Sequence, residues 1–132
     1  MIHSAPRQGR ESTPVWQAAK EGRLELPYCP ACGKFEWPAR RTCSTCGGET
    51  VMKQCAGTGT LLTFSVIHRA VNPELASATP YVVAFVVLDE GARIFTNIVD
   101  CDPATLKCGQ PVRCRFEETK DPDLWVPVFT PA

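Results

Sequence analysis

The sequence predicts a mainly β protein: a short N-terminal helix, a metal-binding ribbon and a small five-stranded barrel. Three observations carry that expectation. Two Cys-x-x-Cys pairs lie between Tyr28 and Glu49. A helix start at Thr13-Pro14 and a glycine stop at Gly22 bracket a short segment with an apolar face. From Gly57 onward the chain is strand-like nearly to its end.

The cysteine pairs come first. Cys29-Pro30-Ala31-Cys32 and Cys43-Ser44-Thr45-Cys46 are separated by ten residues. That is shorter than the usual separation of such pairs, but long enough for a hairpin that brings them face to face. Four thiolates in this pattern suit a tetrahedral zinc ion, and iron accepts the same donors. Gly33 and Gly47 follow the two pairs directly, where a positive φ is often required and glycine takes it without steric penalty. The competing reading is two disulfides or four unrelated thiols. A closed four-thiolate site leaves no open coordination position, so the metal is expected to be structural.

Composition narrows the function classes. The chain has 132 residues, enough for one ordinary domain or two small ones, with 14 Lys plus Arg against 14 Asp plus Glu. A zero net charge argues against general nucleic-acid or anionic-membrane binding, which draws on a basic surplus. No apolar run reaches the roughly 18 residues of a membrane helix. The N-terminus lacks the apolar centre of a signal peptide. The expected location is the cytoplasm, where thiols stay reduced, and this favours metal over disulfide.

Residues 1–12 are polar and read as a mobile tail. Residues 13–24 form the helical segment, with Thr13 as N-cap, Pro14 at the first helical position and Gly22 as C-cap. So short a helix must dock through Val15, Trp16 and Ala19. Residues 25–50 are the ribbon, with one strand entering the first pair and a second over Lys34 to Trp37. Residues 51–132 are the barrel, with the boundary near Thr50 to Cys55.

The barrel strands follow in order. Leu61 to His68 alternates, placing Leu62, Phe64 and Val66 on one face. Arg69 to Pro80 is a loop. Tyr81 to Leu88 is continuously apolar, as for a strand covered on both faces or carrying an interface. Asp89-Glu90-Gly91 turns into a return strand, Arg93 to Val99. A helical turn lies within Cys101 to Gly109. Pro111 to Phe116 points Val112, Cys114 and Phe116 inward, and Leu124 to Phe129 is the last strand. Five strands with a helical turn between the third and fourth suit a barrel of the oligonucleotide/oligosaccharide-binding (OB) type. An open sheet or small sandwich is the alternative, and closure is favoured because it removes apolar edges.

Catalytic signals are sparse. His3 lies in the tail and His68 ends a strand with no placed partner. Cys55, Cys101, Cys108 and Cys114 lack paired spacing and read as small buried hydrophobes. There is no nucleophile elbow, phosphate loop or dinucleotide fingerprint. Lys34, Arg40, Arg41, Lys53, Arg69 and Arg93 are the cations that could meet a phosphate, although solvated surface charge explains most of them.

Taken together, Trp16 with Glu21-Gly22-Arg23-Leu24, the two cysteine pairs with Gly33 and Gly47, Trp37-Pro38-Ala39-Arg40, Gly57-Thr58-Gly59, Pro80-Tyr81 and Gly109-Gln110-Pro111-Val112 resemble the DUF35 family over Pro14 to Pro131. The resemblance implies a helical segment, a rubredoxin-like zinc ribbon and a C-terminal OB-fold, in an acyl-CoA-associated protein. Some members lack the thiolates; this chain keeps all four. The resemblance further implies a non-catalytic accessory subunit of a thiolase-like enzyme, such as a thiolase, a condensing system or a lipid-transfer-protein-like aldolase of steroid side-chain breakdown. The expected partners are that enzyme, in a hetero-oligomer, and acyl-CoA, with no nucleic acid and no membrane. Arg40, Arg41 and the ribbon–barrel junction are the candidate CoA contacts. A nucleic-acid-binding ribbon–barrel module and a self-sufficient enzyme using His68 or a free cysteine are the alternatives.

Overall fold

The computed structural model describes residues 3–132. Met1 and Ile2, the start of the expected tail, lie outside the described residues. Helix α1 spans Thr13–Lys20. Its cap is Ser12, whose carbonyl accepts from the Val15 N–H at 2.9 Å, while Thr13 Oγ1 accepts from the Gly9 N–H at 3.1 Å. The expected cap is therefore displaced by one residue. Proline fits either of the first two helical positions, because the N–H it lacks has no intrahelical partner there. At the other end Gly22 takes φ 79°. Its N–H bonds Ala19 O at 3.0 Å and the Arg23 N–H bonds Ala18 O at 2.9 Å, a Schellman closure. The helix buries Val15, Ala18 and Ala19.

The ribbon is a three-stranded antiparallel sheet with β1 (Glu25–Cys29) between β2 (Lys34–Phe35) and β3 (Val51–Gln54). Leu26 pairs with Lys53, and Tyr28 with Phe35 on one side and Val51 on the other. Strand β3 thus lies within the expected boundary window, Thr50 to Cys55, and pairs with the ribbon. Strand β3 is exposed throughout and carries no inward pattern of its own, and it completes the ribbon by taking the free edge of β1. β2 also stops two residues short of Trp37.

Strands β4 (Thr58–Ile67), β5 (Tyr81–Leu88), β6 (Arg93–Ile98), β7 (Pro111–Glu118) and β8 (Trp125–Pro131) close into a barrel in the order β4-β5-β6-β8-β7. All neighbours are antiparallel except β6 and β8, which meet in parallel at Ile98 and Phe129. The expected loop between β4 and β5 holds a 3-10 turn, Pro73–Ala78, and a second such turn, Pro103–Thr105, lies before β7.

Strand β4 departs from simple alternation. Leu61 pairs with Val86 and Thr63 with Phe85, so Leu62 is an extra residue in a β-bulge. Before the bulge Gly59 and Leu61 point inward. After it Phe64 and Val66 do, and Leu62 is left 42% exposed. The expected inward position of Leu62 is thus reversed by one inserted residue. At Gly59 the strands approach so closely that an added Cβ would lie 2.6 Å from Val87 O and 2.9 Å from Val86 Cγ1.

One continuous core joins the three parts. Val15 of the helix and Leu24 and Leu26 of the ribbon pack in the same cluster as Leu61, Val86, Ile94, Val112 and Phe129 of the barrel. The Cys55 N–H bonds Leu24 O at 2.7 Å where the chain passes from ribbon to barrel. The outer face of β5 is less covered. Phe85 and its cross-strand partner Phe95 stack at 5.1 Å and are 42% and 59% exposed.

The tail is also tied down at His3. This residue is buried, bridges in parallel with Thr119, accepts from the Lys120 N–H at 3.0 Å, and places Nε2 2.7 Å from Glu117 Oε1. The expectation of a loose tail fails at that point, because a polar ring and a carboxylate find each other across the end of β7. Burial works to raise the Glu117 carboxyl pKa. Hydrogen bonds from Arg115 and His3 outweigh it and hold the group below its ordinary value.

Two outcomes are expected. Gly59→Ala lowers stability by about 2 kcal/mol, because a crowded strand pair must separate. A urea midpoint equal to the parent's would remove that explanation. Glu117→Gln costs about 1 kcal/mol at neutral pH. A carboxyl whose folded pKa is depressed contributes stability above its unfolded pKa and loses it as pH falls through the folded value. The difference between Glu117→Gln and parent should therefore close as pH drops below the ordinary 4.5. A difference that persists unchanged at pH 3 would assign it to packing.

Candidate functional site

The turn after β1 places Cys29 and Cys32, and the loop between β2 and β3 places Cys43 and Cys46 opposite them. Gly33 and Gly47 hold φ of 68° and 73°, as each knuckle needs. The four Sγ atoms lie within 4.8 Å of one another. Cys29 and Cys46 are 3.6 Å apart and Cys43 and Cys32 3.8 Å. A tetrahedral ion with metal–sulfur bonds of about 2.3 Å would set the sulfurs about 3.8 Å apart, so the group is already spaced for zinc. The thiols are free, not disulfide-bonded. Cys29 and Cys43 are buried and Cys32 and Cys46 exposed, so the cluster has one face in the ribbon and one toward solvent.

Backbone amides support the sulfurs. The Cys32 N–H points at Cys29 Sγ, the Thr45 N–H at Cys43 Sγ and the Gly48 N–H at Cys46 Sγ, each at 3.4 Å. Backbone N–H groups of Cys46 and Thr45 bring the Cys43 thiol down to about 7. Hydrogen bonds to Cys46 and Cys43 push Cys32 up to about 12. Four adjacent thiols do not ionise together unaided, and a divalent cation supplies the charge that lets them. Behind the second knuckle, buried Glu36 accepts from the Ser44 N–H at 2.9 Å and its hydroxyl at 2.8 Å. These bonds, the backbone one foremost, hold the Glu36 carboxyl below its ordinary value. Sequence spacing did not single out Glu36; a lone acid just after the ribbon's short strand is a weak signal.

No acid–base constellation accompanies this cluster among the described residues. His68 is exposed after β4 and is in no ion pair, and His3 Nε2 is taken by Glu117. Burial pushes the Cys55 and Cys114 thiols up to about 12 and raises Cys101, so these three are held as protonated hydrophobes. Cys108 is exposed, against expectation, because it lies in the turn just before Gly109.

Arg40 and Arg41 lie on the same loop as Cys43 and Cys46. Thr50 fixes their backbone: its hydroxyl donates to Arg40 O at 2.6 Å and its N–H to Arg41 O at 2.9 Å. Both side chains are exposed and line a hollow of about 490 Å³ together with Arg10 and the apolar residues Pro14, Pro27, Val51 and Met52. The structure thus brings the two candidate arginines together and adds Arg10, which the reading of the first twelve residues as a tail had hidden. Trp37, from the same loop, meets Trp16 edge-on at 6.0 Å and 88°. Trp16 Nε1 is buried without an acceptor among the described residues.

Known proteins share this arrangement. Residues 16–52 match the family model described as the rubredoxin-like zinc ribbon domain of ChsH2, and residues 53–117 that of the ChsH2 C-terminal OB-fold domain. The chain is 36% identical over 109 residues to a DUF35 domain-containing scaffold protein of Methanocaldococcus jannaschii, covering 80% of this chain and 77% of that one. It is 38% identical over 134 residues to a probable enoyl-CoA hydratase alpha subunit of Thermomonospora curvata. That match covers 99% of this chain but only 40% of the relative, so the chain spans less than half of that protein. Among solved structures, a chain of the Ltp2-ChsH2(DUF35) aldolase is 36% identical with a TM-score of 0.84, and the match covers 96% of this chain and 98% of that one. With zinc ribbon and OB-fold barrel both in place, the chain belongs to the DUF35 family.

Proposed function

We propose that this chain is a non-catalytic accessory subunit that binds a thiolase-like enzyme, a lipid-transfer-protein-like aldolase or an acyl-CoA thiolase. It supports that enzyme's active site and helps hold its acyl-CoA thioester, in chemistry of the kind the family serves in steroid side-chain breakdown. The observation that carries this reading is the end-to-end likeness to the DUF35 chain of an aldolase complex. The interior agrees with it: the thiols at Cys55, Cys101 and Cys114 are held protonated, and neither histidine stands with a free partner placed for proton transfer. Among the described residues no helix is long and apolar enough to cross a membrane. A free-thiol metal cluster fits a reducing compartment, and we place the chain in the cytoplasm.

Cys29, Cys32, Cys43 and Cys46 are the proposed ligands of one structural zinc ion, whose fourfold thiolate shell leaves it no substrate position. The metal's task is to close the loop that runs from β2 to β3. That loop has little apolar surface of its own, and folding free energy must come from coordination. Cys43→Ser is expected to lose most of the bound zinc and to open residues 36–50 to limited proteolysis, while the barrel strands stay folded. Full metal content with parental thermal stability would exclude Cys43 as a ligand.

The accessory role is tested by co-expressing the chain with the thiolase-like enzyme of its host. The expected outcome is a stable hetero-oligomer whose acyl-CoA turnover falls at least tenfold when this chain is omitted. Equal turnover by the enzyme alone would reject the role. Salt-dependent retention of single-stranded nucleic acid by this chain, with no enzyme co-purifying, would favour the nucleic-acid module instead.

A further inference from the structure

Tyr81 to Leu88 is apolar at every position, as for a strand covered on both faces or one that carries an interface. The fold decides between the two. Val82, Ala84, Val86 and Leu88 point into the barrel and are buried. Tyr81, Val83, Phe85 and Val87 point outward, and Phe85 stands half bare. The inner face has its cover, and the outer face at Phe85 has none within this chain.

The neighbouring strands extend that face. On β6, Phe95 lies beside Phe85 and is the more exposed of the two rings. On β4, the bulge exposes Leu62 next to Thr63, the cross-strand partner of Phe85. On the other side of Phe95, Tyr81 and Val83 help to line a hollow of about 320 Å³ that reaches Trp16 and Trp37. Arg93, at the hairpin end, is the one charged residue in all of β4, β5 and β6. Strand β7 is the contrast. It carries Arg113, Arg115, Glu117 and Glu118, and Arg115 pairs with Asp100 and Glu117. One wall of the barrel is thus a solvated charged face and the other an uncharged aromatic one. Depleted charge with enriched aromatics marks the core of a protein–protein contact. A raised aromatic pair next to a hollow has the form of a binding hot spot. A cross-strand aromatic pair also steadies its ladder, but that accounts neither for the missing charge on β4 nor for the hollow.

We propose that the outer face of β4, β5 and β6 is the surface that docks on the thiolase-like enzyme. Phe85 and Phe95 seat in a concave apolar patch of the enzyme, and an aliphatic or aromatic side chain of the enzyme fills the hollow beside them. Arg93 lies at the rim. The proposal rests on the accessory-subunit reading above, whose support is the likeness to the DUF35 chain of an aldolase complex. A second copy of this chain is the poorer occupant, because two convex barrel walls touch only along a crest, whereas a concave seat buries both rings.

The test is the affinity of the zinc-loaded chain for the thiolase-like enzyme of its host, measured by analytical ultracentrifugation. Phe85→Thr with Phe95→Thr keeps strand-forming residues. It is expected to weaken the complex at least about a hundredfold, with parental zinc content and circular dichroism. Turnover should recover as the concentration of the variant is raised, because docking is lost and not chemistry. Leu62→Ser should weaken the complex about tenfold, and Arg113→Ser, on the β7 face, should leave it unchanged. Hydroxyl-radical labelling of the parental chain reads the same surface without a variant: Phe85 and Phe95 are expected to be oxidised in the free chain and protected in the complex. Parental affinity in the threonine variant, or equal labelling of both rings in the complex, would overturn the docking face and leave the accessory role standing. Self-association of the parental chain through these rings, with enzyme binding untouched in the variant, would assign the face to a second copy and also overturn the proposal. No complex between the parental chain and the enzyme would overturn the face and the accessory role together.

Discussion

The ribbon depends on closing a loop that has little to bury beyond Trp37 and Ala39. Between Phe35 and Val51 the chain makes no strand, and its side chains are mostly exposed. The loop is held by a few backbone bonds, such as the Cys43 N–H to Gly48 O, by the buried Glu36, and by the four convergent sulfurs. Hydrophobic burial here is limited to Trp37 and Ala39 against the core, so much of the entropy of fixing the segment is met by coordination. Trp37 is placed by packing against Trp16 and the core, the Arg40 and Arg41 backbone by Thr50, and the stretch beyond them by the sulfur cluster.

The other half of the ribbon is anchored in the opposite way. Leu24 and Leu26 enter the same core as the barrel interior, and Val15 joins them from the helix. The ribbon is therefore tethered by packing on one side and by thiolates on the other. This asymmetry fits helix, ribbon and barrel sharing one cluster, since the short helix and the three-stranded ribbon have little core of their own. It also fixes the neighbourhood of helix and ribbon loop, which is where Trp16 meets Trp37.

How much of this was legible in the sequence follows from which forces leave local marks. Cysteine spacing, the Gly33 and Gly47 positions and the apolar Tyr81–Leu88 run are local, and each told directly of a knuckle or a strand. The five-strand count and the turn before β7 were enough for the barrel. The misreadings share a cause. The bulge at Leu62 is an insertion relative to a partner strand, and periodicity along one strand cannot register it. The pairing of β3 with β1 is decided by a free edge elsewhere. His3 is fixed by Glu117, which lies far along the chain. Arg10 lines a hollow only because the helix and ribbon loop place it there. Long-range partners decided these cases, and composition around each residue held no trace of them.

The same logic bears on why a metal with no open coordination position matters to function. Cys43 lies two residues from Arg41, and the loop that brings it to Cys32 is the loop that turns Arg40 and Arg41 toward Arg10. A structural ion can thus set the geometry of a binding surface without touching a ligand. On the barrel side, Phe85 of β5 and Phe95 of β6 stand half bare on the outer face, while the inner face of β5 is sealed. Among the described residues the four convergent thiols serve the fold and the buried Cys55 and half-buried Cys114 thiols are held protonated, so what the molecule turns outward is exposed arginines on the ribbon loop and bare aromatics on the barrel.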